Sequence, residues 1–326
     1  PGEVVIGDEL IDRRIGDETV SDIGLRRVTD AGTQWWEIDQ VRLARRPSIG
    51  RRSTYRLVDA DQVPGLFDAP TSMEAEAARL RDIHPADVAA IVRAMPEAQR
   101  RQLAEAFDDE RLADVLEELT EEEQVRIVAE LDDDRLEGVF DEMEFDDLAD
   151  LLGQMSDAEQ ERMLEAMDDE DEEVVRRLLS YEEGTAGGLM TPEVIILGPS
   201  ATVAEALAQV RDPSWVVSIA TQIFVVQAPF KTPTGKYLGV VHMQRLLREP
   251  PSMEIRQLID EVPTMAPDRS DREVAAILAS YDLLALPVCD PAGRLLGAVT
   301  VDDVIDRMLG ADWRKRQRLR PRVKAS

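Results

Sequence analysis

The stretches Asp108-Asp-Glu-Arg-Leu-Ala-Asp-Val-Leu-Glu-Glu-Leu119 and Thr120-Glu-Glu-Glu-Gln-Val-Arg-Ile-Val-Ala-Glu-Leu131 are successive copies of one twelve-residue pattern. Each copy begins with a residue suited to a helix N-terminus, because its side chain can accept from the first free backbone N–H groups. Each ends on an apolar residue with another apolar residue four positions earlier, Val115 in one copy and Ile127 in the other. This spacing gives a short helix one apolar stripe. The pattern therefore predicts short helices that each bury one face.

The pattern continues in both directions along the chain. Seven residues before the last apolar position of each copy, the side chain is apolar in some copies and polar in others, so wider and narrower apolar faces mostly alternate. A helix of about ten residues is marginal alone, so neighbouring helices must stack. We predict an all-α superhelical solenoid over residues 69–183, built from hairpins of about 24 residues. The cap or turn residues of this series are Pro96, Asp108, Thr120, Asp132, Glu144, Ser156 and Asp168.

Most of the negative charge lies in the same region. The chain has a formal net charge of −29, and residues 69–183 contribute −27 of it, with 38 acidic residues against 11 arginines. Such a field repels nucleic acid and attracts cations. The alternative is that these carboxylates form only a solubilising helical surface.

A second, longer repeat follows the solenoid. Leu238-Gly-Val-Val-His242 resembles Leu296-Gly-Ala-Val-Thr300, and each follows a β-rich run and a glycine turn and is preceded by a helical pattern. Short apolar runs alternating with helices predict small sheets covered by helices. We therefore predict two α/β modules, over residues 184–250 and 251–311.

The first 68 residues have a different pattern, with short alternating segments between turn residues. They predict a small β-barrel over residues 1–68. Within it, Leu10-Ile-Asp-Arg-Arg-Ile-Gly-Asp17 resembles a PRC-barrel. The predicted strands are Glu3–Ile6, Leu25–Val28, Gln34–Ile38 and Tyr55–Val58.

Several classes of protein are not favoured by the sequence. The longest apolar stretch, Val216 to Val226, has 11 residues, whereas a membrane-spanning helix needs roughly 20. The single cysteine, Cys289, excludes an internal disulfide and suits a reducing cytoplasm. No Walker sequence or nucleophile–base motif is present, so no enzymatic activity is predicted.

Four motifs, in this order along the chain, resemble MgtE-type magnesium transporters over about residues 80–310. They are Phe145-Asp-Asp-Leu-Ala-Asp-Leu-Leu152, Tyr181-Glu-Glu-Gly-Thr-Ala-Gly-Gly-Leu-Met-Thr-Pro192, Tyr281-Asp-Leu-Leu-Ala-Leu-Pro-Val288 and Gly297-Ala-Val-Thr-Val-Asp-Asp-Val-Ile-Asp306. The resemblance implies an MgtE N-type helical domain followed by a tandem pair of CBS modules. The predicted fold is thus multi-domain: β-barrel, helical superhelix, then an α/β CBS pair.

The resemblance also implies a magnesium sensor, in which several weakly bound Mg²⁺ ions hold the N domain against the CBS pair. Mg²⁺ prefers hard oxygen ligands and keeps much of its water, so it suits loose bridges between carboxylates. The two helical-domain acids Asp146 and Asp150 are i, i+4 and share one helix face. The residues matching the family's metal ligands are Asp114, Asp146 and Asp150 in the helical domain, and the Ala279 carbonyl, Asp282, Asp303 and Asp306 in the second CBS module. A further family acid falls on Arg272.

CBS modules often bind adenine nucleotides through an Asp three residues after a Ser or Thr. Thr300 and Asp303 keep that pattern in the second module, whereas His242 and Arg245 occupy those places in the first. In the family the site depends on the acid of the first module, so ATP binding is expected to be weak or absent.

The last segment differs from the family, which continues through an acidic helix into a membrane domain. Here residues 312–326 are a basic tail, which includes Trp313-Arg-Lys-Arg-Gln-Arg-Leu-Arg-Pro-Arg322. We expect this tail to be a natural terminus and to contact anionic headgroups. We predict either a homodimer through residues 187–310 or binding to a separately encoded membrane transporter or channel. The predicted function is a stand-alone cytoplasmic Mg²⁺-responsive regulator at the inner face of the membrane. The alternatives are a constitutive structural adaptor and a nucleotide-sensing CBS protein.

Overall fold

The computed structural model describes residues 14–15, 18–30, 33–45, 54–63, 66, 72–165, 167–212, 215–310 and 313. The chain divides into two compact units, Pro1–Met143 with Gln317–Ser326, and Glu144–Arg316. The division falls within the helical region, so the last helices of the solenoid belong to the same unit as the CBS modules.

The first unit begins with a four-stranded antiparallel sheet in the order β1-β2-β3-β4. The strands are β1 (Arg14–Ile15), β2 (Glu18–Asp30), β3 (Thr33–Arg45) and β4 (Thr54–Asp59).

The apolar face of this sheet packs around Val20, Val41 and Leu43, against a 3₁₀ turn at Ala60–Gln62 and the buried Leu66. The predicted strands Leu25–Val28 and Gln34–Ile38 lie within the longer antiparallel pair β2–β3, which carries register shifts at Val20/Asp22 and Gly24/Leu25, and Tyr55–Val58 lies in β4. Within the described residues β1 and β4 are not paired, so these strands form an open sheet and not the predicted closed barrel. One predicted strand, Glu3–Ile6, and most of the PRC-like stretch lie outside the described residues.

Nine short helices follow the sheet in the part of the chain that the structure describes. Six belong to the first unit: α1 (Ser72–Leu80), α2 (Pro85–Ala94), α3 (Glu97–Ala106), α4 (Asp109–Glu117), α5 (Glu121–Val128) and α6 (Asp133–Phe140). Three belong to the second unit: α7 (Phe145–Gly153), α8 (Asp157–Leu164) and α9 (Asp169–Leu179).

The predicted twelve-residue spacing is confirmed at the helix starts. All seven predicted cap positions, from Pro96 to Asp168, are N-caps of α3 to α9. The side chains of Asp108 and Asp132 each accept from the backbone N–H of the third helical residue. Thr120 and Ser156 form capping boxes with the glutamates three residues later. These local bonds satisfy free helix donors and set where each helix begins.

Within each unit, a helix packs mainly on the helix two positions away, α1 on α3, α2 on α4, α4 on α6, and α7 on α9. Two arginines at equivalent positions in the first unit add contacts to the helix three positions back. Arg111 of α4 donates to the carbonyls of Leu80 and Ile83 at the C-terminal end of α1, and Arg135 of α6 donates to those of Ala104 and Phe107 at the C-terminal end of α3. Each guanidinium thus satisfies free carbonyls at a helix C-terminus, where positive charge is favoured.

The polar positions in the narrower helices have a related explanation. Gln124 is buried, and its Nε2 donates to the carbonyl oxygen of Leu116 at 2.8 Å. Gln160 donates in the same way to Leu152 at 3.1 Å. A glutamine at this position therefore closes the C-terminus of the preceding helix.

The CBS modules complete the second unit and confirm the repeated order helix, strand, turn, strand, helix, while the predicted opening strand of the second module is only a bridge between Met265 and Val288. The first contains β5 (Ile196–Leu197), α10 (Val203–Val210), β6 (Gln222–Val226), β7 (Tyr237–His242) and α11 (Met243–Leu246). The second contains α12 (Asp271–Tyr281), β8 (Ala285–Cys289), β9 (Leu295–Thr300) and α13 (Val301–Leu309).

The two glycines of the repeated Leu-Gly motif have equivalent roles. A Cβ on Gly239 of β7 would lie 2.7 Å from the carbonyl oxygen of Asp260, and one on Gly297 of β9 would lie 2.3 Å from that of Thr191. Each glycine lets a crossing backbone bridge to its strand, Asp260 to Val240 and Thr191 to Ala298. The first residues of the first module, at Thr191, therefore add to the sheet of the second. Among the described residues, no helix combines the length and the apolarity needed to cross a bilayer.

Candidate functional site: a carboxylate pair between α7 and α13

The second unit brings together two predicted site residues, Asp146 on α7 and Asp303 on α13. Burial raises the pKa of Asp146 well above its usual range, and repulsion from Asp303 is the next largest cause. The Asp146 Oδ1 atom is buried and has no hydrogen-bond partner among the described residues. An unsatisfied buried carboxylate oxygen beside a second carboxylate is costly unless a proton or a cation neutralises the pair.

Thr300, at the N-terminus of α13, orients Asp303. The Thr300 hydroxyl donates to Asp303 Oδ2 and accepts from the Asp303 backbone N–H as the helix N-cap. Burial nevertheless raises the pKa of Asp303 to about 6. Thr300 and Asp303, the two residues of the predicted nucleotide motif, are therefore bound to each other, and Asp303 also belongs to the acidic pair.

The other predicted acids on these two helices have different neighbours. Asp306 of α13 accepts a hydrogen bond from the Trp313 indole N–H. Asp150 of α7 is exposed and acts electrostatically on Arg307, the residue after Asp306. These contacts distinguish Asp306 and Asp150 from the Asp146–Asp303 pair.

Two more predicted ligands lie at the C-terminal end of α12. Asp282 is exposed and is the C-cap of the helix, in the left-handed conformation with φ of 53°. Ala279 is exposed in the last turn of the same helix. Free carbonyls and the negative end of the helix dipole favour a cation at such a terminus.

The remaining predicted ligand, Asp114, lies on α4 in the first unit. Its Oδ2 is 3.4 Å from Arg111 Nη1. Burial raises the pKa of Asp114, and the Arg111 charge opposes that shift. Unlike Asp146, this carboxylate has a cationic neighbour on its own helix.

Sequence reasoning missed Glu193, which directly follows the connector, residues 181–192, between the helices and the CBS pair. Its Oε2 accepts from the backbone N–H of Phe145 at 3.4 Å, at the N-terminus of α7. Burial raises the pKa of Glu193 to about 7, and Asp171 contributes in the same direction. No local pattern marks this glutamate, because its partner lies 48 residues earlier in the chain.

Among the residues that the structure describes, no three His, Cys, Asp or Glu side chains are grouped so that they could hold a metal ion. A pair of carboxylates with one unsatisfied oxygen fits an ion that keeps several of its own waters. Mg²⁺ is that kind of ion, and it is commonly bound through one or two carboxylates.

The first CBS module differs from the second at the nucleotide positions. His242 is the N-cap of α11, and Arg245 Nη1 is 2.6 Å from Asp260 Oδ1. The arginine that replaces the ribose-binding acid is therefore already paired, with an acid from the first residues of the second module.

These features define a class of protein: a superhelix of short helices joined to a CBS pair, with carboxylates from both parts facing each other. The chain matches the MgtE intracellular N domain over residues 83–184 and the CBS domain over residues 186–252 and 254–310. Both families are regulatory and non-catalytic.

Relatives and solved structures agree with these matches. The magnesium transporter MgtE of Thermus thermophilus is 37% identical over 133 residues, which cover 40% of this chain and 28% of that protein. MgtE of Bacillus subtilis is 26% identical over 226 residues, covering 69% and 49%. A crystal structure of the cytosolic domain of the Mg²⁺ channel MgtE in complex with ATP is 33% identical, with a TM-score of 0.65 over 72% of this chain and 94% of that one.

The chain therefore belongs to the family of MgtE cytosolic domains. It spans between 28% and 49% of the length of these curated transporters.

Proposed function

We propose that this protein is a Mg²⁺-responsive regulator, and that Mg²⁺ bound by Asp146 and Asp303 holds the helices α7–α9 against the second CBS module. The observation that supports it best is the buried, unsatisfied Asp146 Oδ1 beside the Asp303 carboxylate. The similar cytosolic domain belongs to a Mg²⁺ channel. The chain would act at the cytoplasmic face of a membrane, on a transporter or channel whose spanning part lies outside this sequence.

The physical basis is that a divalent cation turns the repulsion between two carboxylates into a net attraction. Two carboxylates about 4 Å apart repel by about 1 kcal/mol in water and several-fold more where solvent is partly excluded. Without a cation, this repulsion favours separation of α7 from α13. A divalent cation between the two groups makes the same contact attractive, and it favours the docked geometry because only that geometry supplies both ligands. Asp282 with the Ala279 carbonyl, and Asp114, Asp150 and Asp306, are proposed as weaker contributors.

The test is a magnesium titration followed by small-angle scattering and by amide exchange across α7. The wild-type protein should become more compact, and α7 more protected, as Mg²⁺ rises into the millimolar range at constant ionic strength. The double variant Asp146→Asn with Asp303→Asn should lose most of this response. The control variant Asp302→Asn removes one negative charge from an exposed neighbour on α13 and should keep the Mg²⁺ response.

Two results would overturn the proposal. One is a wild-type protein whose dimensions and exchange do not change with Mg²⁺, and the other is an equal response to monovalent salt. Either result would leave a constitutive adaptor for a membrane protein as the better account of the acidic helices. Recovery of a partner from native membranes regardless of Mg²⁺ would further support the adaptor.

We also propose that the protein is a homodimer through the CBS modules. Large apolar side chains are exposed on both modules, which is typical of an interface when they form a continuous surface. Light scattering at micromolar concentration, with the variant Ile305→Asp and Met308→Asp, tests the proposal, and a monomeric wild type would contradict it. The exposed apolar residues are Val217, Phe230 and Leu247 in the first module, and Leu284, Ile305, Met308 and Leu309 in the second.

ATP is proposed to bind weakly, if the CBS pair binds nucleotide at all. The ATP-bound relative gives a reason to test it, while the Arg245–Asp260 pair occupies the position of the missing acid. Calorimetry should detect no micromolar affinity. A micromolar dissociation constant would favour the nucleotide-sensing alternative, with Thr300 and Asp303 as binding residues.

A further inference from the structure

Arg307, on α13, lies beside the connector that joins the helices to the CBS pair. Its Nη1 atom is 2.6 Å from Glu183 Oε1. Its Nη2 atom is 3.4 Å from the position that a Cβ on Gly184 would occupy. Gly184 has a φ of 74°, a conformation that favours glycine. The bare backbone at Gly184 thus leaves the guanidinium room to lie against the connector.

Carboxylates from three segments act on this guanidinium. The hydrogen bond that Arg307 donates to Glu183 is the largest cause that raises the pKa of Arg307, and Asp150 of α7 and Asp271 of α12 add to it. The connector is itself held to the start of α12, because the Asp271 backbone N–H donates to the Gly184 carbonyl oxygen at 3.0 Å. Arg307 is therefore the shared counter-charge of α7, the connector and α12.

The helix positions set two different charge pairs one turn apart. Asp303 and Arg307 are i, i+4 on α13, and Asp146 and Asp150 are i, i+4 on α7, so each pair shares a helix face. Asp146 interacts repulsively with Asp303, whereas Asp150 interacts attractively with Arg307. The turn with Asp146 and Asp303 thus needs a bound cation. The next turn, with Asp150, already has the cationic side chain of Arg307.

A second basic side chain connects the helices to the other CBS module. Lys231 Nζ lies 3.0 Å from Glu170 Oε2 on α9. Both groups are largely exposed, so the pair is weak. Like Arg307, Lys231 is a cation of a CBS module that pairs with an acid of α7–α9 or of the connector.

We propose that Arg307 acts as a tethered counter-ion, which does at Asp150 and Glu183 what a divalent cation would do at Asp146 and Asp303. Docking of α7–α9 onto the CBS pair is then partly independent of metal, and Mg²⁺ adjusts an equilibrium that Arg307 has already biased. The consequence for regulation rests on the proposed magnesium response, whereas the docking itself does not. Asp150, predicted from sequence as a metal ligand, is on this view neutralised by the protein.

The experiment compares amide exchange of α7 and of residues 183–187 in chelator and in saturating Mg²⁺. Arg307→Met keeps the length and apolar stem of the side chain but removes its charge, and Arg307→Lys restores the charge. Arg256→Met is the control, because Arg256 also forms a partly exposed ion pair, and its partner Glu254 belongs neither to α7 nor to residues 183–187. In chelator, we expect Arg307→Met to raise exchange about two- to five-fold, the range of a partly exposed ion pair. Arg307→Lys should restore much of the protection, and Arg256→Met should match wild type.

The outcomes separate the two proposals. Equal exchange of Arg307→Met and Arg256→Met in chelator would overturn the tethered counter-ion, even if wild type responds to Mg²⁺. Increased exchange only in Arg307→Met would support it, even in a protein that ignores Mg²⁺. If Arg307→Met does not fold, Glu183→Gln removes the same ion pair from the exposed side and is read by the same criteria.

Discussion

Partly buried carboxylates have different surroundings in the two units. In Pro1–Met143, Asp109 forms an ion pair with Arg135, and Glu123 lies 3.7 Å from Arg93. In Glu144–Arg316, the pKa values of Asp146, Asp303 and Glu193 are all raised by burial, and the causes of these shifts include no arginine or lysine. The carboxylates paired with an arginine thus stabilise the first unit, whereas burial without such a partner is costly for these three in the second, and it is two of the latter that we propose as Mg²⁺ ligands.

The largest expected effect comes from breaking a buried arginine pair in the first unit. Arg135→Met should lower the free energy of unfolding of that unit by about 3 kcal/mol, since it removes the ion pair with Asp109 and the donor to the carbonyls at the C-terminal end of α3. Urea unfolding measures it. Arg126→Met, in an exposed i, i+4 pair with Glu122, should change stability by less than about 0.5 kcal/mol. Equal losses of stability in Arg135→Met and Arg126→Met would contradict the stabilising role given to the buried arginine pair.

The next effect is a pH dependence in the second unit. The pKa of Glu193 is about 7 in the folded protein and lower when exposed, so the folded state binds the proton more tightly. Its stabilising contribution is therefore complete below about pH 4.5 and is lost as the pH rises through about 7. Glu193→Gln, which cannot ionise, should be more stable than wild type at pH 8 by on the order of 1–2 kcal/mol, and equal to it at pH 4.5. Urea unfolding of both proteins across this range checks it, and parallel pH profiles would rule the explanation out.

The smallest effect tests whether removing one carboxylate charge changes the stability of the two units in opposite directions. Asp109→Asn should destabilise the first unit by about 1 kcal/mol, because it removes the charged partner of Arg135. Asp146→Asn in chelator should stabilise the second unit by about 1 kcal/mol, because it removes repulsion with Asp303. Thermal unfolding in the absence of Mg²⁺ compares them. Two shifts of the same sign would show that the two sets of acids do not differ as described.

The helix starts were predictable because capping is local and depends on a side chain and a backbone N–H three residues apart, as at Asp108 and Arg111. The CBS repeat was predictable from its Leu-Gly motifs for a similar reason. The arginine partners were not, since Arg135 and Asp109 are 26 residues apart and only the packing of α6 on α4 joins them.

The candidate site was predictable only through the family resemblance, and incompletely. Asp146 and Asp303 face each other, but nothing in the spacing indicated that Asp306 accepts from Trp313 or that Asp150 acts on Arg307. Glu193 was missed because its hydrogen bond crosses from just after the connector to α7. The closed barrel was inferred from alternating residues, which indicate strands but not whether the first and last strands pair.

The arginines that bind helix C-termini three positions back restrict how the length of the helical domain can change during evolution. Arg111 and Arg135 are 24 residues apart, and they bind the C-terminal ends of α1 and α3 respectively. Loss or duplication of a single twelve-residue unit between such an arginine and its helix end would move the arginine to the other row of helices, away from the carbonyls that it binds. A gain or loss of two units together keeps each arginine in its own row. Inherited length variation in this region should therefore occur in steps of a whole hairpin.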